Sequence, residues 1–109
     1  MENKMTLRFQ VVNQTISRLD GNELVEGSSG FVVAKFIFSD NWNGLDKEMI
    51  VKTLGDDATN LELTDDTVEL PASVLQFPGF VFTLIGTNDN ITITTETKFI
   101  NINHTFNLQ

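Results

Sequence analysis

The sequence predicts an all-β fold, a two-sheet antiparallel β-sandwich built as a single domain over residues 1–109. Three observations carry that expectation. Apolar residues recur at every second position, the period of a strand with one face buried. Turn-forming clusters interrupt the chain at intervals of about 8–12 residues, the spacing of short strands in a sandwich. Nine phenylalanines stand against one tryptophan and no tyrosine, and phenylalanine rings can be buried without a hydrogen-bond partner.

The elements follow in order. Met5, Leu7, Phe9 and Val11 alternate with polar residues, which predicts a strand with one wet face. Gln14 to Leu19 reads as a second strand closed by Asp20-Gly21, and Glu26-Gly27-Ser28-Ser29-Gly30 as a break. Phe31 to Phe38 is almost continuously apolar, which suits a central strand or one whose outer face meets a partner. Asp40-Asn41-Trp42-Asn43-Gly44 turns the chain. Met49 to Leu54 is the next strand, with Gly55-Asp56-Asp57 as its exit. Leu61 and Leu63, then Val68 and Leu70, alternate around a turn at Asp65-Asp66. One short helical turn is expected near residues 71–76, because Pro71 suits a first helical position and Pro78-Gly79 ends the segment. Phe80 to Ile85 is apolar on both faces. Asn88-Asp89-Asn90 is a hairpin turn, and Ile91 to Thr94 and Lys98 to Asn103 are the closing strands.

Composition bounds the function. A chain of this length buries roughly two-thirds of its unfolded surface, enough for one core without staples. There is no cysteine, which excludes disulfides, thiolate metal sites and thiol nucleophiles. The first residues show no signal peptide, and no apolar run approaches the roughly 18 residues of a membrane span. The expectation is a protein made in a cytoplasm. Net charge is −8, and residues 40–69 carry nine acidic residues against Lys47 and Lys52. Such a surface repels a phosphate backbone and an anionic membrane, so neither nucleic acid nor membrane is an expected partner. The stretch is either a solvated edge that keeps the protein soluble or a docking face for a basic partner.

Reactive constellations are sparse. His104 is the only histidine, so a zinc site lacks ligands. No serine stands in a Gly-x-Ser-x-Gly elbow, and Ser28 and Ser29 have ordinary loop neighbours. Asp56-Asp57 and Asp65-Asp66 are paired carboxylates, but glycoside hydrolysis needs two held across a cleft, and the spacing of a calcium-binding EF-hand is missing. No glycine-rich phosphate loop occurs. Catalytic, cofactor and metal residues are therefore all expected to be none. Three Asn-x-Thr triplets, at Asn13, Asn90 and Asn103, carry no weight without a secretion signal. The remaining candidate is Trp42 between Asn41 and Asn43. Exposed, it would stack on a sugar ring, which makes a carbohydrate-binding module the alternative function. Buried, it would plug one end of the sandwich, and Phe36 and Phe38 upstream favour the plug.

The order of these pieces resembles a known pattern. Leu7 and Phe9 lead to Gly30 and an apolar strand. Then come Trp42-Asn43-Gly44-Leu45-Asp46-Lys47, Leu70-Pro71-Ala72-Ser73-Val74-Leu75, Pro78-Gly79 and the strand from Phe80 to Gly86. Together they resemble small tail and baseplate proteins of siphophages that infect Gram-positive bacteria. The likeness is to the N-terminal shoulder domain of lactococcal phage receptor-binding proteins. It implies an Ig-like, shoulder-type sandwich and a non-enzymatic structural or accessory role. The implied action is docking on the tail or baseplate adsorption apparatus, with other tail and baseplate proteins as partners and the virion tail as a destination. A non-virion phage protein acting in the infected cell is the further alternative. Stalk heptads and a sugar-binding head are not seen before Gln109, which points to docking rather than receptor binding.

Overall fold

The computed structural model describes residues 4–55 and 58–104. Asp56, Asp57 and Gln109, which figure in the sequence reading, lie outside them. Ten strands run through the described residues: β1 (Met5–Val12), β2 (Thr15–Arg18), β3 (Leu24–Val25), β4 (Val32–Phe38), β5 (Asp46–Lys52), β6 (Ala58–Glu62), β7 (Thr67–Glu69), β8 (Gly79–Thr87), β9 (Thr92–Thr94) and β10 (Lys98–Asn103). The only helical pieces among them are two single 3-10 turns, Asp40–Trp42 and Ala72–Val74. The second sits within the span expected to turn helically, with Pro71 as its cap and not its first residue.

The strands form two layers. The smaller sheet has the order β2-β1-β4-β7, and the larger β3-β10-β8-β5-β6, with β9 also paired to β8. The sandwich is as expected, but its sheets are mixed, not purely antiparallel. β1 and β4 run parallel over seven residue pairs from Met5↔Val32 to Val11↔Phe38, and β3 runs parallel to β10. The reason is the route of the chain. After β2 it leaves the small sheet, adds β3 to the edge of the large one, and returns to lie beside β1. A returning crossover of this kind permits parallel pairing, which a hairpin forbids.

The alternation in the sequence becomes the core. Leu7, Phe9 and Val11 of β1 and Val32, Ala34 and Phe36 of β4 face inward. Met49, Val51, Phe80, Phe82 and Leu84 meet them from the large sheet. Phe9 and Phe36 stack at a centroid distance of 5.2 Å, and Phe82 meets their edges at 5.3 and 6.1 Å from the opposite layer. Such offset and edge-on ring pairs contribute about 0.5–1.5 kcal/mol each beyond the area they bury.

Strand β8 organises the large sheet. It pairs with β5 along one side, and with β10 and then β9 along the other. The register slips by one residue between those two partners. Ile85 faces Thr94 but Phe82 faces Lys98, so three steps on β8 match four on the other side. Thr95 fills the slip. Its backbone N–H donates to the Leu84 carbonyl, and its hydroxyl accepts the Leu84 N–H at 2.9 Å. The bulge frees Glu96 to reach the other layer, where its N–H donates to the Gln14 carbonyl and its carboxylate accepts the Ile16 N–H. A β-bulge thus ties the two sheets together along the β2 edge. At the start of β8, Gly79 has φ 144°, and a Cβ there would lie 2.1 Å from the Ile100 carbonyl oxygen. Only glycine allows β8 and β10 to approach so closely.

Asp20 anchors the end of β2. Its carboxylate accepts the backbone N–H groups of Arg8 and Asn22 and pairs with the Arg18 guanidinium at 3.0 Å, with its side chain only 6% exposed. Burial pushes the Asp20 pKa up, but the Arg18 hydrogen bond, the two backbone donors and the Arg18 charge outweigh it and hold the pKa below the ordinary value. Asp20→Asn should therefore lower stability by about 2 kcal/mol at neutral pH, the usual scale for charge-assisted hydrogen bonds. A carboxylate with a lowered folded-state pKa stabilises fully above its unfolded pKa of about 3.9. That contribution fades as pH falls through the lower folded value. Urea titrations of both proteins should show the gap closing only in acid.

Candidate functional site

The segment around Trp42 is built by two turns that lock together. Asn13 takes φ 56° between β1 and β2, a left-handed conformation that asparagine tolerates in hairpins. Its N–H donates to the Ser39 hydroxyl at 2.9 Å, and its side-chain oxygen accepts the Asn41 amide at 3.0 Å. Its carbonyl accepts the Trp42 indole N–H at 2.8 Å. The Ser39 hydroxyl in turn donates to the Asn41 side-chain oxygen at 2.6 Å. The 3-10 turn Asp40–Trp42 aims the indole inward, where it is 0% exposed and lies 4.8 Å from the Phe38 ring. Gly86 of β8 lies beneath it, and a Cβ there would come within 2.7 Å of two indole carbons.

This geometry corrects the sugar-platform alternative. With both faces of the ring covered and its only donor bonded to Asn13, Trp42 has no surface to offer a pyranose. It is a core plug. Asn41 and Asn43 remain exposed, but Asn41 is engaged at both ends of its amide. Asn13, the residue that positions the plug, stands out in the sequence only as the head of an Asn-x-Thr triplet. The signal was present, since an asparagine between two alternating runs is a turn residue.

Lys47, next to the plug, carries the charge of this end into the interior. It points inward on β5 with its ammonium 4.9 Å above the Phe38 ring, and pairs with Asp66 at 2.9 Å. Asp65 and Asp66 both have positive φ in a two-residue turn closed by reciprocal Thr64–Thr67 hydrogen bonds. The turn expected there is present, and its form is that of a tight β-hairpin. An open groove of about 570 Å³ results, lined by Leu45, Asp46, Lys47, Glu62, Leu63, Asp65 and Asp66. Beside it, Glu48 and Glu62 stand directly opposite one another on β5 and β6. Asp46, Glu48, Glu62, Asp65 and Asp66 are thus gathered near one another at the β5–β6 side of the sandwich. These carboxylates can attract a cationic side chain. Among the described residues no three His, Asp or Glu side chains are grouped to hold a metal ion.

His104 does not meet a serine and an acid in a triad. Its ring stacks on Phe77, and Nδ1 lies 3.2 Å from the Glu26 carboxylate. No helix among the described residues is long and apolar enough to cross a membrane.

The fold places the chain among two-layer β-sandwich domains. A solved structure described as the N-terminal domain of phage TP901-1 ORF48 aligns with 91% of this chain and 98% of its own, with a TM-score of 0.52 at 12% sequence identity. At that identity the likeness is one of fold. No protein-family model matches the chain, and no curated protein matches it.

Two substitutions test the plug. Trp42→Ala should cost about 3–5 kcal/mol, the loss for a buried large aromatic, and a loss below about 0.5 kcal/mol would put the ring at the surface. Gly86→Ala should be destabilising without touching any polar group, because the new methyl must displace the indole. Trp42 is the single tryptophan. Its emission should therefore be that of a shielded indole in the wild type and shift to longer wavelength in Gly86→Ala.

Proposed function

We propose that this chain is a non-enzymatic phage structural or accessory protein that docks on the tail or baseplate adsorption apparatus. The observation that supports it most is the end-to-end fold likeness to the N-terminal domain of phage TP901-1 ORF48. The ordered motifs from Leu7 to Gly86 support the same reading independently of the coordinates. The surface is consistent with contact rather than reaction. The groove beside Lys47 is open and acidic, and the charged groups around it are carboxylates and one lysine already paired with Asp66. General acid–base work needs groups of shifted pKa converging on a shielded point. An acidic groove of this kind fits a basic patch on a neighbouring tail protein. In this reading the protein is made in the host cytoplasm and carried into the tail.

Mass spectrometry of purified virions tests the proposal. The chain should be recovered in stoichiometric amount with the tail proteins, and charge reversal at Asp46 and Glu62 should reduce its incorporation. Its absence from washed particles would remove the tail-component reading and leave a role in the infected cell.

A further inference from the structure

Sheet edges expose unpaired backbone groups, and proteins usually shorten, bend or cover them. This fold treats most of its edges in that way. β3 has two residues and β7 three. β2 is covered by the Glu96 carboxylate, which accepts the Ile16 N–H, and the Gln14 side chain ahead of it donates to the Thr94 carbonyl. β10 is partly covered by β3. β6 is different. It has five residues, contains no proline, and is bonded only to β5. The Leu63 N–H donates to the Lys47 carbonyl, which fixes the alternation along the strand. Thr59 and Leu61 turn their backbone groups to β5, while Ala58, Asn60 and Glu62 turn theirs outward. No described residue bonds to the outward set.

We propose that β6 is a self-association edge, at which two copies of this chain pair antiparallel about Asn60 and join their large sheets into one. The occupant is argued from charge. On the outer face Lys52 stands beside Ala58, and Glu48 beside Glu62. None of Lys52, Glu48 and Glu62 has an ion-pair partner among the described residues. Like charges directly opposite are destabilising, so the Glu48–Glu62 pair lacks a cation. Two-fold pairing about Asn60 sets Ala58 opposite Glu62 of the second copy. The outer row then reads Lys52, Ala58, Glu62, Glu48 across the joint, and the same in reverse four residues along, on the other side of the Asn60 pair. Lys52 and the second copy's Glu62 are two strands apart, about 10 Å between Cα atoms. Their long side chains span that gap over the small Ala58. The pairing also places outward N–H and C=O groups opposite one another, giving roughly six backbone hydrogen bonds at two per bonded pair. Such an isologous contact closes on itself and does not propagate into fibres. The inference is independent of the tail-docking reading.

Sedimentation equilibrium on the full chain, from about 1 μM to about 1 mM, tests it. The expected result is a monomer–dimer equilibrium. Asn60→Pro removes the N–H at the two-fold axis without removing a bond to β5 and should weaken association roughly a hundredfold or more. Lys52→Glu and Glu62→Lys should each weaken it by about tenfold, and together they should restore it toward wild type. Far-ultraviolet spectra check that each variant is folded, and if Asn60→Pro is not, the charge exchange decides. A monomer at the highest concentration would overturn the proposal. So would Asn60→Pro associating as tightly as wild type, or a double reversal weaker than either single change.

Discussion

The contact on which the structure rests is the meeting of Phe9, Phe36 and Phe82. Two of these rings come from neighbouring strands of the small sheet and the third from the middle strand of the large one. Their stacked and edge-on geometry fixes how far apart and in what rotation the layers sit. Face-to-face sheets interdigitate across a gap of about 10 Å. Rings of this size fill it where aliphatic side chains would leave voids. The parallel pairing of β1 with β4 is part of the same constraint, because it sets Phe9 beside Phe36 and not one residue away. A register slip of one would turn both strands' apolar rows to solvent.

From that centre the fold tightens toward its ends by polar means. The Trp42 end is closed by Asn13, Ser39 and Asn41, whose bonds satisfy the indole and the turn together. The β2 edge is closed by Glu96 from the bulge. The Asp20 carboxylate gathers donors from β1 and from the loop that leaves β2. A buried or half-buried polar group stabilises only when its partners are in place. At the Trp42 end and the β2 edge the deciding partners come from chain segments far apart in sequence, while Asp20 joins the distant Arg8 to its near neighbours Arg18 and Asn22.

That distance explains what the sequence could and could not reveal. Alternation locates β1 and β10, and near-continuous apolar runs locate β4 and β8, because both patterns are local properties. The Asp65-Asp66 turn was visible for the same reason. Sheet direction was not, since parallel or antiparallel pairing depends on the path of a crossover and not on residue type. The two-residue β3 carries too few positions for any period to register. The start of β5 was placed late, at Met49, because Asp46-Lys47-Glu48 reads as a charged loop. Lys47 faces inward there only because Phe38 and Asp66 receive it. Trp42 could be assigned as plug or platform only by its company, and the deciding residues, Asn13 and Gly86, lie on other strands or turns.

The acidic edge follows from the same economy of space. The core consumes most of the inward rows, so Asp46, Glu48, Glu62, Asp65 and Asp66 stand on the outer face, at the rim and in turns, with Lys47 drawn inward beside them. Gathered there, they raise the local negative potential well above what a scattered −8 would give. In high dielectric, exposed carboxylates attract cationic partners over about a Debye length without a fixed geometry. Catalysis requires the opposite condition, a few groups held dry and oriented at a point. An interaction made at this edge should therefore weaken with salt far more than one made by apolar side chains.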